Sequence, residues 1–168
     1  MYKKLLAACA ALTLAIPGYA RVESGTKPLI ELIGNAGIAV RYNTDECDSG
    51  EYLGLYVHNG MKRAFILCPG ETVDATVHMV VRHEAIHAIQ HCINVARGTP
   101  VTTPVIEDDV ELMEFVRAHL NEAMIAEIRR LYPRDQWRIE YEAFAGMHAY
   151  TSTELAELFV KACIYTDA

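Results

Sequence analysis

The spacing of hydrophobic and polar positions divides the chain into an early segment of short strands and a longer helical segment. A short helix is predicted over residues 28–34. Strands are then predicted over 38–42, 51–57 and 63–67, because these runs are short, apolar and bounded by turn residues. Asn59-Gly60 lies between the last two runs, and this dipeptide is a strong hairpin signal. We therefore expect a small antiparallel sheet.

After residue 70 the hydrophobic spacing becomes helical and stays so to the C-terminus. Gly98 followed by Pro100 ends the first long helix, and Thr151 with Glu154 forms a capping box that starts the last one. The predicted class is α+β, a small antiparallel sheet followed by a helical body in one domain. Helices are predicted over residues 71–97, 107–132, 135–150 and 151–164.

The N-terminus has the pattern of a secretory signal. Two lysines precede an uncharged apolar run over residues 5–16, and small residues lead to a plausible cleavage point after Ala20. This run is too short to cross ~30 Å of hydrocarbon as a helix. We predict a signal peptide over residues 1–20 and a mature domain over 21–168, secreted or periplasmic. The alternative is a lipoprotein modified at Cys9, but only four apolar residues precede that cysteine.

Composition and charge exclude several classes of protein. With 52% hydrophobic and 22% charged residues, the chain is globular rather than disordered or fibrous. The formal net charge is −7, so there is no basic surplus to bind a phosphate backbone. Nucleic acid is therefore not an expected partner.

Export makes the remaining cysteines candidates for disulfide bonds. Cys47, Cys68, Cys92 and Cys163 stay in the mature chain, and four cysteines allow three pairings. We expect Cys47 to pair with Cys68 across the hairpin, and Cys92 with Cys163 to tie the central helix to the last one. A four-cysteine zinc site is the alternative, but the sequence has no Cys-x-x-Cys pair.

The long predicted helix contains His83-Glu84-Ala85-Ile86-His87. On a helix, His83 and His87 lie one turn apart on the same face, so both imidazoles can reach one ion. Glu84 projects about 100° away from His83, close enough to act on a water held by that ion. This is the donor set of a hydrolytic zinc site. The alternative is two hydrogen-bonded histidines, with Glu84 in solvent.

A third protein ligand has to come from another part of the chain. His91 would lie ~12 Å from His83 along the helix axis, and His78 lies on another side of the helix. Both are predicted to be ordinary helix residues.

The better candidate lies in the predicted helix over residues 135–150. Glu140 falls in the apolar arc of this helix, where a carboxylate is costly unless it is paired or bound to a metal. Glu142 falls on the opposite side and is predicted to be solvated. An ion pair of Glu140 with Arg82 or Arg129 is the alternative.

His-Glu-x-x-His on one helix, followed some fifty residues later by Glu-x-x-Ala on another, resembles the gluzincin zinc metallopeptidases, including small single-domain members. The resemblance implies a zincin-like fold in which a small, largely antiparallel sheet precedes the first motif. It also implies zinc ligation by His83, His87 and Glu140, with Glu84 as the general base. A second alignment within the family makes Glu142 the ligand instead.

The chain departs from this family at one point. Many members carry an acid four residues past the downstream ligand to orient a histidine, whereas here those positions are Phe144 or Gly146. The orienting group is therefore either absent or supplied from elsewhere. The candidates for the donor that stabilises the developing oxyanion are Tyr141, His148, Tyr150 and His119.

The resemblance implies a secreted zinc peptidase that hydrolyses peptide bonds in a peptide or protein substrate with metal-activated water. Two alternatives stay open. One is an exported non-catalytic domain with a structural or degenerate zinc site, and the other is a disulfide-stabilised binding or inhibitor protein. The sequence assigns neither the substrate nor the oligomeric state.

Overall fold

The computed structural model describes residues 25–48, 50, 52–59, 62–68 and 75–165. The predicted signal peptide, Cys9 and the tip of the predicted hairpin lie outside the described residues. The described residues form six α-helices and three β-strands: α1 (Thr26–Asn35), β1 (Ala39–Tyr42), β2 (Gly54–Asn59), β3 (Lys62–Leu67), α2 (Ala75–Ala96), α3 (Asp109–His119), α4 (Glu122–Leu131), α5 (Trp137–Ala149) and α6 (Ser152–Cys163). The predicted α+β class is confirmed.

The sheet is mixed, so the prediction of an antiparallel sheet is wrong for one of its two pairings. Strands β2 and β3 pair antiparallel from Gly54–Leu67 to Asn59–Lys62, as the hairpin signal predicts. Strand β1 runs parallel to β3, and the order is β1-β3-β2. After β1 the chain first forms β2 at the far edge of the sheet. Strand β3 then follows and lies between β1 and β2. Pairing of strands that are not neighbours in sequence has no local signal.

Helix α2 lies between the sheet and α5, and two glycines allow this close packing. A Cβ atom on Gly54 of β2 would collide with Val80 and lie 3.2 Å from Glu84 Cγ. On the other side of α2, a Cβ atom on Gly146 of α5 would lie 2.6 Å from Ile86 Cδ1. Because neither glycine has a side chain, the sheet and α5 both approach α2 at its His-Glu-x-x-His segment.

The helix predicted over residues 107–132 is two helices. Leu120 has extended backbone angles and is buried. The side chain of Asn121 accepts a hydrogen bond from Met124 N and caps the start of α4. Asparagine is favoured at this position because its side chain satisfies a free N–H of the first turn. The capping box of Thr151 and Glu154 at the start of α6 is confirmed.

Both predicted disulfides are confirmed. Cys47–Cys68 ties the connection after β1 to the end of β3, and Cys92–Cys163 ties α2 to α6, with Cα–Cα distances of 5.4 and 5.1 Å. Two disulfides indicate an extracellular or otherwise oxidising environment. None of the helices in the described part of the chain is long and apolar enough to cross a bilayer.

Candidate metal centre

Helix α2 brings the imidazoles of His83 and His87 together in the interior. Their Nε2 atoms lie 3.1 Å apart, and the two rings meet edge to face with centroids 4.7 Å apart. One helical turn separates the residues, as their spacing predicts. Both side chains are buried, and their Nε2 atoms face each other in the interior.

Helix α5 completes the group with Glu140. One carboxylate oxygen lies 3.4 Å from His83 Nε2 and the other 3.6 Å from His87 Nε2. Among the described residues, these three form the only set of His, Cys, Asp or Glu side chains with three donor atoms within 4.8 Å of one another. The prediction that Glu140 faces inward is confirmed, and the group can hold a metal ion.

The donor separations fit a small metal ion. Tetrahedral ligands about 2.0–2.1 Å from zinc stand about 3.3 Å from one another. The two Nε2 atoms are 3.1 Å apart, Glu140 Oε2 lies 3.4 Å from His83 Nε2, and Glu140 Oε1 lies 3.6 Å from His87 Nε2. Glu140 Oε2 is buried and forms no hydrogen bond in the described structure, although it lies within ion-pair distance of His83 Nε2. A buried carboxylate oxygen without a hydrogen bond is costly, and a cation between these atoms would stabilise it.

Without a metal, the group forms an ion pair. Burial disfavours a charged imidazole, but the nearby Glu140 carboxylate, together with Glu84 and Gln90, outweighs that effect, and the pKa of His87 is raised to about 9. Burial also disfavours the Glu140 carboxylate, yet His87 and His83 hold its pKa at about 2. Arg129, a predicted alternative partner, donates instead to the Tyr141 hydroxyl at 2.6 Å. A metal ion therefore has to displace a proton from His87.

Glu84 lies beside this group and is held by the sheet. Its side chain is fully buried, so the alternative of a solvated Glu84 is wrong. Oε2 accepts a hydrogen bond of 2.7 Å from the backbone N–H of Tyr56 in edge strand β2. Oε1 is buried and has no hydrogen-bond partner among the described residues. One oxygen is thus fixed, and the other is available to take a proton.

Glu142 is not solvated, and that prediction is wrong. It is buried, and its carboxylate accepts from Gln90 Nε2 at 2.7 Å and from the backbone N–H groups of Val105 and Ile106, each at 2.8 Å. The cause is the segment 99–108, which we call the strap. It covers the face of α5 that a helical wheel assigns to solvent. The structure places Glu142 with Gln90 and the strap, and the metal-donor group contains Glu140 instead.

The group that orients His87 comes from its own helix. Gln90 Oε1 lies 2.8 Å from His87 Nδ1, so Gln90 supplies the contact that the sequence lacks at Phe144 and Gly146. Phe144 instead packs its ring against His83, with centroids 4.5 Å apart. The sequence pattern does not indicate this contact, although Gln90 stands three positions past His87, one helical turn away.

The remaining histidines of α2 lie outside the donor group, as predicted. His78 Nδ1 contacts Thr26 Oγ1 at 2.5 Å, and His91 Nδ1 contacts the Tyr56 hydroxyl at 2.7 Å. Burial, together with His58 and Arg63, lowers the pKa of His91 to about 4. These contacts are those of buried structural histidines.

The four candidate oxyanion donors occupy varied surroundings. The Tyr141 hydroxyl is bound by Arg129, and Tyr150 is partly exposed. His119 packs against Phe115. Burial, with Arg82 and His119 nearby, lowers the pKa of His148. None of these contacts singles out one donor.

Comparisons of the chain with protein-family models, curated proteins and solved structures find no match. The resemblance to gluzincins is thus carried by the two short motifs, and a functional assignment depends on the geometry of this site.

Proposed function

We propose that the protein is an exported zinc peptidase of the gluzincin type with a zincin-like fold. The observation that carries the proposal is the convergence of His83, His87 and Glu140 beside the Glu84 carboxylate. Two histidines on adjacent turns, a carboxylate from a second helix and a further carboxylate with one oxygen available for a proton are what hydrolysis at a zinc site requires. The disulfides and the N-terminal signal pattern support export.

The donor set favours a transition-type metal over calcium or magnesium, and zinc is the one that hydrolytic sites bind with two histidines and a glutamate. Calcium and magnesium prefer sites built from oxygen atoms, whereas this group offers two imidazole nitrogens and one carboxylate. Three protein donors leave a coordination position for water or substrate, as in catalytic rather than structural zinc sites. When bound, zinc would polarise a carbonyl group and make water more acidic.

Glu84 is the residue that moves the proton. The Tyr56 N–H holds Oε2 and so fixes the plane of the carboxylate, while Oε1 takes a proton from the attacking water and passes it to the leaving amine. Its burial excludes bulk water from the carboxylate. A peptide substrate would lie extended along the free edge of β2, whose strand already holds the general base.

A second candidate function is a non-catalytic domain with a structural metal site. The observation that favours it is burial: His83 and Glu84 are fully buried and Glu140 is 4% exposed, which leaves a substrate carbonyl little access. This candidate predicts full zinc occupancy without turnover, so zinc content and hydrolysis have to be measured on the same sample.

The test compares wild type with Glu84→Gln and His83→Gln. Zinc is quantified by mass spectrometry, and hydrolysis is measured on a mixed peptide library. Glu84→Gln should retain zinc and lose about 10²-fold or more in rate, because its amide still accepts from Tyr56 but takes no proton. His83→Gln should lose both zinc and activity.

Exposed Glu111→Gln serves as the control for Glu84→Gln, and His91→Gln serves as the control for His83→Gln. Both should keep zinc and activity. A wild type that binds no zinc, or a Glu84→Gln variant with full activity, would refute the proposal.

A further inference from the structure

A chain of three buried side chains leads away from the candidate metal centre behind His87. His87 Nδ1 lies 2.8 Å from Gln90 Oε1. Gln90 Nε2 then donates to Glu142 Oε2 at 2.7 Å and to the carbonyl of Ile139 at 3.3 Å. Gln90 is fully buried, and the other two side chains are nearly so. The contacts are therefore direct and not shared with bulk water.

The far end of this chain is fixed by the backbone. Two N–H groups of the strap, from Val105 and Ile106, donate to the Glu142 carboxylate. With Gln90, they give the carboxylate three hydrogen-bond donors, which is the environment that a buried carboxylate requires. Glu142 is thus held in one orientation by α2 and the strap together.

Glu142 in turn determines which way the Gln90 amide faces. A carboxylate and a peptide carbonyl only accept hydrogen bonds, so the NH₂ group of Gln90 has to face Glu142 and Ile139. The amide oxygen is left facing His87 Nδ1. Because that oxygen only accepts, His87 has to carry a hydrogen on Nδ1.

The orientation of the Gln90 amide therefore determines the tautomer of His87. A neutral imidazole with its hydrogen on Nδ1 has its lone pair on Nε2, the atom that lies 3.1 Å from His83 Nε2 and 3.6 Å from Glu140. The other tautomer would direct an N–H toward the donor group and could not bind a metal there.

We propose that Glu142, acting through Gln90, is a positioning residue that fixes the tautomer and ring orientation of His87 as a metal ligand. The inference rests on the proposed metal site but not on peptidase activity. Residues that orient metal-binding histidines typically change metal affinity 10–100-fold when they are removed. Glu142 would thus act at the site without binding the ion.

Asn94 provides a matched control. It is buried on α2 one turn past Gln90, and it holds the same strap: its Nδ2 donates to the Thr103 carbonyl at 2.9 Å, and its Oδ1 accepts from Thr103 Oγ1 at 2.8 Å. It makes no hydrogen bond to His87 among those of the described residues. A variant of Asn94 therefore removes the contacts to Thr103 and to the Gln90 carbonyl. It leaves in place the side-chain contacts of Gln90 to His87 and Glu142 and the two backbone N–H groups that hold Glu142.

The experiment measures the zinc dissociation constant by competition with a chromophoric chelator. Gln90→Met and Asn94→Leu each replace a buried amide with an apolar side chain of similar size. Gln90→Met should weaken zinc binding 10–100-fold, Glu142→Gln should weaken it in the same direction, and Asn94→Leu should stay within about twofold of wild type. Unfolding in EDTA, measured for each variant, separates loss of affinity from loss of stability.

A spectroscopic readout tests the tautomer itself. In cobalt-substituted protein, the Nδ1 proton of a ligating histidine gives a shifted, exchangeable NMR resonance. The His87 proton should exchange faster with solvent in Gln90→Met than in wild type or Asn94→Leu, because only Gln90→Met removes its acceptor.

The outcomes separate this inference from the proposed function. Zinc affinity within twofold of wild type in Gln90→Met or in Glu142→Gln, or an equal loss in Asn94→Leu, would overturn the positioning role. If wild type binds no zinc, both proposals fail together. If wild type binds zinc but cleaves no peptide, only the peptidase proposal fails, and the zinc affinities of Gln90→Met and Glu142→Gln relative to Asn94→Leu still decide the role of Glu142.

Discussion

The backbone N–H of Tyr56 donates to Glu84 Oε2 at 2.7 Å, so the edge strand of the sheet holds the carboxylate that follows His83, the first of the proposed metal ligands. This contact links the two parts of the fold at the candidate site. The sheet positions the proposed base, and α2 and α5 position the proposed ligands. A change in the sheet should therefore affect the chemistry more than the metal binding.

Gly54→Ala tests whether the sheet positions the proposed base separately from the proposed metal ligands. The added Cβ atom would collide with Val80 and lie 3.2 Å from Glu84 Cγ, so β2 or Glu84 has to shift. We expect a loss of about 1–3 kcal/mol in unfolding free energy and a larger fall in hydrolysis than in zinc affinity. Gly34→Ala in α1 is the control, because its nearest atom would be 3.7 Å away. Equal losses of activity and zinc affinity in Gly54→Ala would contradict this separate positioning.

Zinc affinity should rise with pH. Burial opposes protonation of His87, but Glu140 raises its pKa to about 9 in the metal-free protein, so a proton competes with the metal at neutral pH. The apparent association constant should increase up to about tenfold per pH unit below that value and level off above it. Chelator competition between pH 6.5 and 9.5 measures the slope. A flat profile would show that His87 is not protonated in the metal-free protein.

The same ion pair should make the stability of the metal-free protein depend on pH. A raised histidine pKa contributes stability that is fully present below about 6.5 and is lost as the pH rises through about 9. The lowered pKa of Glu140 contributes stability above about 4.5 that is lost as the pH falls toward 2. We expect a loss of about 2–3 kcal/mol between pH 6.5 and 9.5. Denaturant unfolding in EDTA measures it, and Glu140→Gln should remove most of the alkaline loss.

Chelation should destabilise the protein. A ligand that binds only the folded state adds about 4 kcal/mol at a thousandfold excess over its dissociation constant. The melting temperature should therefore fall when EDTA replaces excess zinc, and His83→Ala should melt at the same temperature in both conditions. An equal melting temperature of wild type with and without zinc would favour a metal-free binding domain.

The sequence predicts those features that depend on local spacing. The interval between His83 and His87 sets their common face, and the apolar arc around Glu140 indicates which way that carboxylate points. The capping box at Thr151 is likewise a local pattern. Each of these requires only the geometry of one helix.

Features that depend on distant segments could not be predicted in this way. Glu142 is buried because the strap, which belongs to another part of the chain, donates two backbone N–H groups to it. Strand β1 lies beside β3 because the chain crosses the end of the sheet. A helical wheel or a strand pattern contains no information about the burial of Glu142 or about the pairing of β1 with β3.

X-ray absorption at the zinc edge of the purified protein, combined with zinc quantification, tests the proposed metal site most directly. We expect one zinc per chain with nitrogen and oxygen neighbours at about 2.0–2.1 Å, including two imidazoles. His87→Ala should lose one imidazole signal or the metal itself. Wild type without zinc, or a zinc environment that does not change in His83→Ala, His87→Ala and Glu140→Ala, would contradict the proposed site.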